Sequence, residues 1–463
     1  MRLLVCMFAL LIYSCESDAP PPEIAEENPD SIALAGGTLT QSSGFTSRIL
    51  LQYPPALFGI DLQRHREGAG IFLQTFVPPS APQFFGLGPV YAATGCFRCH
   101  VNAGRGRPIN FGEPAEGLLM YISRSGVGPF GGPDSVPGLG VVLQPRAIVT
   151  RKPEGEIRVQ YRPISGSFGD GESWSLREPT YSVRNPNLPP GVLASTRIAS
   201  PLVGLGLLEN ISEADILANE DPTDTNGDGI TGVANRVWNV LTNSQTVGRF
   251  GWKAGIASVR ERAAFDFNQA MGVTSSLGLY SRESCFGQPQ AAGAVFDDPE
   301  VQANETLIPI TSFLKTTAVP GRRNMNAENI RRGQKLFTDG KCAVCHRPQM
   351  RTTHTLDEEL KFYETRQIFY PYSDLLLHDM GEGLADNRPE FQATGREWRT
   401  PPLWGIGLTE TINGNAYYMH DGRARSLEEA ILWHGGEADQ SKQFFLTLPK
   451  SDRDALIAFI RSL

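Results

Sequence analysis

The chain has 463 residues, of which 40% are hydrophobic and 20% are charged, and its formal net charge is −8. This length suits two or three domains, and the composition excludes a wholly disordered protein. The acidic balance argues against a nucleic-acid partner and suits a partner with a basic face, although a mild negative charge is also ordinary for soluble proteins.

The first residues have the pattern of an export signal. Arg2 precedes an apolar run to Tyr13, which is too short to span a bilayer. The run ends in the letters IYSC at Cys15, which resembles a bacterial lipobox. We therefore expect a lipoprotein signal peptide over residues 1–14 and a lipidated Cys15, which would anchor the protein to a bacterial membrane in the periplasm or cell envelope. The alternative is an ordinary signal peptide with an incidental cysteine.

Residues 15–45 follow, and most of this stretch is rich in Pro, Glu and Ala, with three prolines at 20–22. This composition predicts a disordered tether. No later stretch is long and apolar enough to cross a membrane, so we expect a lipid anchor as the only membrane contact.

Two short sequences have the form C-x-x-C-H: CFRCH at 96–100 and CAVCH at 342–346. In an exported protein this is the attachment signal of a c-type haem, because each cysteine can form a thioether and the histidine can bind the iron. A zinc or redox C-x-x-C pair is the alternative for one copy, but two copies favour two covalently bound haems. The residues that would hold them are Cys96, Cys99, His100, Cys342, Cys345 and His346.

Two arginines, Arg105 and Arg107, closely follow the first signal. Arginines near a haem often pair with its propionates, and the alternative here is a solvated turn. From Leu119 to Pro189, short β-like runs are broken by Gly and Pro. They predict a β-rich, loop-rich insertion in a mostly helical body.

The stretch DPTDTNGDGI at 221–230 matches the first half of a calcium-binding loop. Asp224, Asn226 and Asp228 would offer oxygen ligands at alternate positions. The terminal glutamate of the full loop is missing, since the twelfth position is Asn235. A polar turn is the alternative, and we favour calcium as an additional bound ion.

Residues 324–463 predict a helix, a haem signal and a closing amphipathic helix. Asn326 is expected to cap a helix over 327–337, and a capping-box-like start precedes an apolar stripe at the chain's end. The arrangement resembles a class I cytochrome c domain. We assign residues 46–275 to an N-terminal haem domain with insertions, 276–323 to an inter-domain linker, and 324–463 to a C-terminal cytochrome c domain.

The two halves share a further stretch. PLVGLGLLENI at 201–211 aligns with PLWGIGLTETI at 402–412, and an arginine suited to a haem propionate lies just upstream of each, Arg197 and Arg399. The simplest account is a mainly α fold in which two cytochrome c-like haem domains arose by internal duplication. The two haems would then face each other across the domain interface.

Several stretches carry a resemblance to a known family: GLGLLE at 204–209, GRFGWK at 248–253, LLLHDMG at 375–381, WRTPPLWG at 398–405 and HDGRARSLEEAILWH at 420–434. The chain resembles the dihaem oxidoreductase branch, often labelled peroxidase or "thiol oxidoreductase", of the bacterial dihaem cytochrome c peroxidase superfamily.

The resemblance implies roles for two residues. In the relatives, the sixth ligand of the C-terminal haem lies fourteen residues after the first residue of the His-Asp-Gly motif, which is His434 here (420 + 14). A haem bound by His346 and His434 would be low-spin and suited to electron transfer. Met419 and Met380 are alternative ligands, and His434 could instead be a surface histidine. The resemblance also implies that Trp252 relays electrons between the haems; the alternative is a core tryptophan.

The haem on His100 would be the reactive one, with an open sixth position and a nearby acid or base. In the relatives an acidic residue precedes a Met-Gly pair, but this chain has Ala270 there. Three residues could supply the missing group: Asp266, Gln269 and Glu209. Two others could instead close the site as ligands: Met271 and His65. Two more histidines are expected to be structural: His354 and His378.

The leading hypothesis is a lipid-anchored periplasmic dihaem oxidoreductase. A small redox protein or a quinol-linked donor would deliver electrons to the C-terminal haem, and the N-terminal haem would reduce hydrogen peroxide or oxidise an organic substrate. The main rival is a non-catalytic electron-transfer cytochrome that serves another envelope system. A dithiol oxidoreductase ranks third, because thioether-bound cysteines have no free thiol and Cys285 has no evident partner.

Overall fold

The computed structural model describes residues 32–77, 86–109, 117–149, 151–275, 277, 300–301, 303–353, 360 and 366–463. The expected signal peptide, the anchor at Cys15, Cys285 and His354 lie outside these residues. Within them, every helix is too short or too polar to cross a membrane.

Helix is the larger class of secondary structure, at 33% against 21% strand. The α-helices of the described residues are α1 (Gly59–Phe72), α2 (Cys96–Cys99), α3 (Leu205–Glu209), α4 (Glu213–Leu217), α5 (Val259–Met271), α6 (Ile308–Lys315), α7 (Glu328–Asp339), α8 (Cys342–Cys345), α9 (Thr409–Asn413), α10 (Leu427–Leu432), α11 (Asp439–Thr447) and α12 (Lys450–Ser462).

The strands of the described residues pair two by two, and all pairs are antiparallel except β1–β12 and β10–β11. They are β1 (Thr40–Gln41) with β12 (Val319–Pro320), β2 (Val90–Tyr91) with β4 (Arg146–Ala147), β3 (Leu118–Ser123) with β7 (Leu193–Ile198), β5 (Glu156–Ser167) with β6 (Ser173–Arg184), β8 (Arg236–Asn239) with β9 (Ser244–Val247), β10 (Thr274–Ser275) with β11 (Glu300–Val301), β13 (Met350–Arg351) with β14 (Ile368–Phe369), and β15 (Leu377–Asp379) with β16 (Glu397–Arg399). The longest strands, β5 and β6, lie in the stretch predicted to be rich in β structure.

Each half of the chain contains a pair of helices that cross closely at a glycine. A β-carbon on Gly68 of α1 would lie 2.0 Å from the carbonyl oxygen of Pro309 in α6. A β-carbon on Gly333 of α7 would lie 2.0 Å from the carbonyl oxygen of Ala455 in α12. Only glycine permits such an approach, so these two positions fix the helix crossings.

The helices of the second pair bury the apolar faces expected from the sequence. Ile330, Gly333 and Phe337 are the buried residues of α7. The closing helix buries Leu456, Phe459 and Ile460, and Leu463 just beyond it is buried too. The expected cap is wrong, however: Ala327 is the N-cap of α7, and no side chain caps it.

Two of the predicted domain limits are corrected by the structure. The tether was expected to reach residue 45, but Leu39 is fully buried and Thr40 pairs with Val319. The linker was expected over 276–323, but α6 lies within it and buries every side chain from Pro309 to Lys315. Its apolar residues supply the helix that α1 needs to bury its own face, so α6 belongs to the first half.

The stretches aligned between the two halves have similar local conformations. Gly204 and Gly405 both adopt left-handed backbone angles, with φ of 61° and 69°, and a helical turn follows each. In the weaker match, Ser258 and Ser426 each accept a hydrogen bond from the backbone three residues later and so start α5 and α10. Duplication of a complete cytochrome c domain stays a prediction.

The core is shared between the halves. It consists of two apolar clusters, and each draws residues from both ends of the chain. The first includes Phe72 and Ile412, and the second includes Ile122, Trp252 and Phe459. The two halves therefore pack against each other as one body.

The β5–β6 hairpin reaches from the first half onto the helices of the second. Phe168 at its tip packs edge-to-face on Phe445 of α11, with ring centroids 5.9 Å apart. Arg453 of α12 is almost fully buried and pairs with Asp170, at 2.8 Å, and with Glu172. A buried arginine is costly without carboxylate partners, so α12 depends on the hairpin tip.

Candidate functional site

Two largely apolar cavities lie beside the two C-x-x-C-H sequences. The N-terminal cavity is lined by Cys96, Cys99 and His100, and the C-terminal cavity by the corresponding residues, Cys342, Cys345 and His346. In each case the two cysteines begin and end a single helical turn, α2 or α8, and both cysteines and the histidine line the same cavity. This is the arrangement that two thioethers and an iron ligand require.

In the C-terminal cavity, the imidazole rings of His346 and His434 are each held by a backbone carbonyl oxygen. The Nδ1 atom of His346 lies 3.0 Å from the carbonyl oxygen of Tyr372, and that of His434 lies 2.7 Å from the carbonyl oxygen of Ala430. Each carbonyl fixes its ring with Nδ1 protonated, which leaves Nε2 available to an iron. Burial lowers the pKa of His346 to about 4, so its imidazole is neutral at pH 7.

The alternative ligands Met380 and Met419 also line the C-terminal cavity. They lack the carbonyl-fixed geometry of a histidine pair, so His434 remains the better partner for His346. His420 lines the same cavity but stacks on Trp398, with ring centroids 3.8 Å apart. Burial lowers its pKa to about 3.

In the N-terminal cavity, helix α5 forms one wall. Among the described lining residues, Asp266 is the one carboxylate. Arg262, one helical turn earlier, also lines the cavity and pairs with it at 2.6 Å. Burial lowers the pKa of His100, and the negative charge of Asp266 opposes that effect. Met271 lines this cavity too, so it stays an alternative ligand.

Three other residues proposed for the N-terminal cavity are not among those that line it. Glu209 accepts a hydrogen bond from the backbone of Val259 and lies 2.8 Å from Lys315, and a catalytic role for it stays a prediction. Gln269 donates to the side chain of its neighbour Asn268. His65 is buried, because helix α6 covers it. Its Nδ1 lies 2.8 Å from the hydroxyl oxygen of Thr316, at the end of that helix.

Trp252 stands between the two cavities and lines both. Its indole nitrogen donates a 2.8 Å hydrogen bond to the carbonyl oxygen of Ile198, which fixes the ring. Gly251 precedes it with a φ of 85°, a conformation that favours glycine. Three further residues line both cavities: Arg105, Arg399 and Pro401.

The arginines predicted to bind propionates differ in their partners. Arg197 lines the N-terminal cavity but is already paired with Glu390, at 2.7 Å. Arg399 donates to the carbonyl oxygens of Gly251 and Thr400. Arg105 is buried and Arg107 is exposed, so the two arginines after the first signal have different environments.

The Asp-rich loop holds itself together through its own backbone. Asp224 accepts hydrogen bonds from Gly229, Asn226 from Asp228, and Asp228 from Ile230. These contacts are those of a polar turn, and calcium stays a prediction. Ile230, at the end of the loop, lines the C-terminal cavity.

His378 was expected to be structural, and that role stays a prediction, because the residue also lines the C-terminal cavity with its Nδ1 3.7 Å from the sulfur of Cys345. Its ring lies between Asp374, 2.9 Å from Nε2, and Glu437, 2.8 Å from Nδ1. Burial alone would lower its pKa, but the hydrogen bonds to these carboxylates raise it well above the usual value. Glu437 also accepts a hydrogen bond from Thr231, which ties the Asp-rich loop to the C-terminal cavity.

The sequence reasoning missed Arg262 and Tyr418. Arg262 could have been found, since arginine and aspartate four residues apart lie on one face of a helix. Tyr418 packs beside Arg105, with its ring centroid 5.8 Å from the guanidinium carbon. No local pattern could have indicated that contact, because it joins residues from opposite halves.

Comparisons with known proteins agree with the chemistry of these cavities. A family model described as "di-haem oxidoreductase, putative peroxidase" matches residues 149–463, which include the second attachment signal and Trp252. No curated protein and no solved structure matches the chain. Since the match covers more than half of its length, the chain belongs to the di-haem oxidoreductase family.

Proposed function

We propose that the protein is a c-type dihaem oxidoreductase that passes electrons from a bis-histidine site in the C-terminal cavity to a reactive site in the N-terminal cavity. There it would reduce hydrogen peroxide or oxidise an organic substrate. A small redox protein or a quinol-linked donor would supply the electrons. We also propose that it works in the periplasm or cell envelope, held by a lipid on Cys15.

The observation that carries this proposal is the unequal distribution of histidines. The C-terminal cavity is lined by His346 and His434, each with Nδ1 engaged and Nε2 available. Among the described residues, the N-terminal cavity is lined by a single histidine, His100. A haem held by two histidines would suit electron transfer, whereas one held by a single histidine would leave room for a substrate.

The haems supply the redox chemistry when bound, and the chain supplies proton movement and positioning. Asp266 can accept and return a proton in the N-terminal cavity, and Arg262 orients its carboxylate. Trp252 places an aromatic ring between the two cavities, fixed by its bond to Ile198. Asp266 thus takes the place of the acidic residue that the resemblance led us to expect at Ala270.

The rival functions differ in what they require of these residues. A pure electron carrier needs both sites six-coordinate, and Met271 would be the second ligand of the N-terminal site. A dithiol oxidoreductase needs a reactive thiolate, but burial raises the pKa of Cys96 and Cys342 to about 12. That rival is therefore disfavoured even before thioether formation is considered.

The deciding experiment is electron paramagnetic resonance of the oxidised, haem-loaded protein, repeated after reduction by one electron. We expect a high-spin signal beside a low-spin one in at least one state, together with peroxide turnover. Low-spin signals alone in both states, without turnover, would leave no open site and favour the electron carrier.

A further inference from the structure

Arg105 is a buried cation that has no carboxylate partner among the described residues. It is 6% exposed and lines both cavities. Its side chain makes no hydrogen bond and no ion pair within the part of the chain that the structure describes, and Nη1 is buried without a partner. Burial lowers its pKa to about 10, so it is still charged at pH 7.

The other buried arginines of the described residues all have partners: some pair with carboxylates, and others, such as Arg399, donate to carbonyl or hydroxyl oxygens. Arg197 lies 2.7 Å from Glu390, and Arg423 lies 2.9 Å from Asp421. A buried charge that lacks a partner is strongly destabilising. Arg105 therefore differs from its counterparts in a way that calls for an anion inside the cavities.

The backbone of Arg105 is held rigidly against the second half of the chain. The side-chain nitrogen of Asn413, in α9, donates to the carbonyl oxygen of Arg105. Glycines on both sides permit this packing, since a β-carbon on Gly104 would lie 2.3 Å from Asn413 and one on Gly106 would lie 1.9 Å from the backbone of Gly117. The backbone that carries the guanidinium is thereby held where the two halves meet.

The aromatic rings around Arg105 come from the same junction. Its guanidinium carbon lies 5.7 Å from the ring centroid of Trp252 and 5.8 Å from that of Tyr418. Contacts of this kind stabilise a cation modestly, and they leave its hydrogen-bond donors unused. The planar guanidinium has enough donors for two carboxylates at once.

We propose that Arg105 binds one propionate from each haem. This one side chain would then link the two redox sites electrostatically. This inference rests on the proposed function only in requiring a haem in each cavity. Arg105 is then a positioning residue, and its charge favours the reduced, more negative state of both sites. Substitution by a neutral residue should lower both reduction potentials together.

The test compares Arg105→Gln with Arg107→Gln, a matched control because Arg107 is exposed two residues away. Each variant is loaded with haem, checked for two haems per chain, and titrated potentiometrically while visible absorption and electron paramagnetic resonance report each site. We expect both potentials to shift to more negative values in Arg105→Gln and neither to shift in Arg107→Gln.

A shift confined to one site, or the same shift in the control, would overturn the bridging role. If Arg105→Gln does not fold, Arg105→Lys provides the test: a point charge cannot hold two carboxylates as the planar fork does, so at least one potential should still fall. Unchanged potentials in a folded Arg105→Lys would contradict the inference. Low-spin signals alone and no turnover in the unsubstituted protein would contradict the proposed function and leave the potentials as an independent result.

Discussion

Arg262 holds both carboxylate oxygens of Asp266: its Nε lies 2.8 Å from Oδ2 and its Nη2 lies 2.6 Å from Oδ1. Such a two-point contact fixes the direction of the carboxylate. Because both residues line the N-terminal cavity, the pair can present a base at a defined place there.

Asp266→Asn should reduce peroxide turnover by about 10²- to 10⁴-fold, the usual contribution of a general acid or base. The amide keeps the size of the side chain but cannot take up a proton. Steady-state peroxide reduction with an artificial electron donor measures the change. Turnover within a factor of about two of the unsubstituted protein would exclude Asp266 from proton transfer.

Glu209→Gln serves as the contrasting variant, because Glu209 lies outside the residues that line the cavity. We expect unchanged turnover per folded molecule. The free energy of unfolding should fall by about 1.5 to 3 kcal/mol, the usual range for a hydrogen bond to a charged group, since Lys315 would lose one of its contacts. Chemical denaturation gives the value, and a stable variant with lost turnover would restore Glu209 as a catalytic candidate.

His434→Ala should disturb only the low-spin signal that arises from the C-terminal site. His346 would lose its axial counterpart, whereas the N-terminal cavity would be untouched. Electron paramagnetic resonance of the oxidised variant tests this. Met380→Leu and Met419→Leu are the controls, and a change in either of them with none in His434→Ala would identify a methionine as the ligand.

Trp252→Phe should slow electron transfer between the two sites without moving either potential. Phenylalanine keeps an aromatic ring, but it loses the indole and the bond to Ile198. Photoreduction of one site followed by absorption at the other measures the rate. Trp404→Phe is the control, because Trp404 lines only the N-terminal cavity. An equal rate in both variants would make Trp252 a core residue only.

Glu154 predicts a dependence of stability on pH. It is buried, its Oε2 accepts a 2.8 Å bond from the backbone of Gln144, and its Oε1 has no partner within the described ranges. Burial raises its pKa from 4.5 to about 8. Between those values the folded protein binds a proton that the unfolded chain releases. The free energy of unfolding therefore falls as pH rises, by at most about 1.4 kcal/mol per pH unit.

Glu154→Gln should remove this contribution, because the amide mimics the protonated acid at every pH. Denaturation at pH 5 and pH 8.5 compares the variant with the unsubstituted protein, and the gain should appear at the higher pH. The exposed Glu156 gives the control variant, Glu156→Gln. An equal pH slope in all three proteins would show that Glu154 is ionised when folded.

The sequence predicted those parts of the molecule in which a local pattern determines the structure. A short stretch of sequence is enough to recognise each of these features: the two C-x-x-C-H signals, the apolar faces of α7 and α12, and the β-rich stretch. Helix α6 was missed because it carries no motif, although its apolar residues were a signal for a buried element.

Contacts between distant residues could not be predicted. The burial of Arg105 depends on Asn413, which lies 308 residues away in the chain. Choosing among Asp266, Gln269 and Glu209 required knowing which side of α5 faces the cavity and where Lys315 lies. Neither is a property of a local stretch, since both follow from how the two halves pack.

The β5–β6 hairpin has a consequence for how the protein is made. Asp170 at its tip is synthesised 283 residues before Arg453, the side chain that it holds. Until α11 has reached the compartment in which the chain folds, the hairpin presents Phe168 without the α11 surface that covers it. Exposed apolar strands in unfinished chains tend to aggregate. Loss of α11 and α12 would therefore uncover the hairpin tip of the first half as well as remove part of the second.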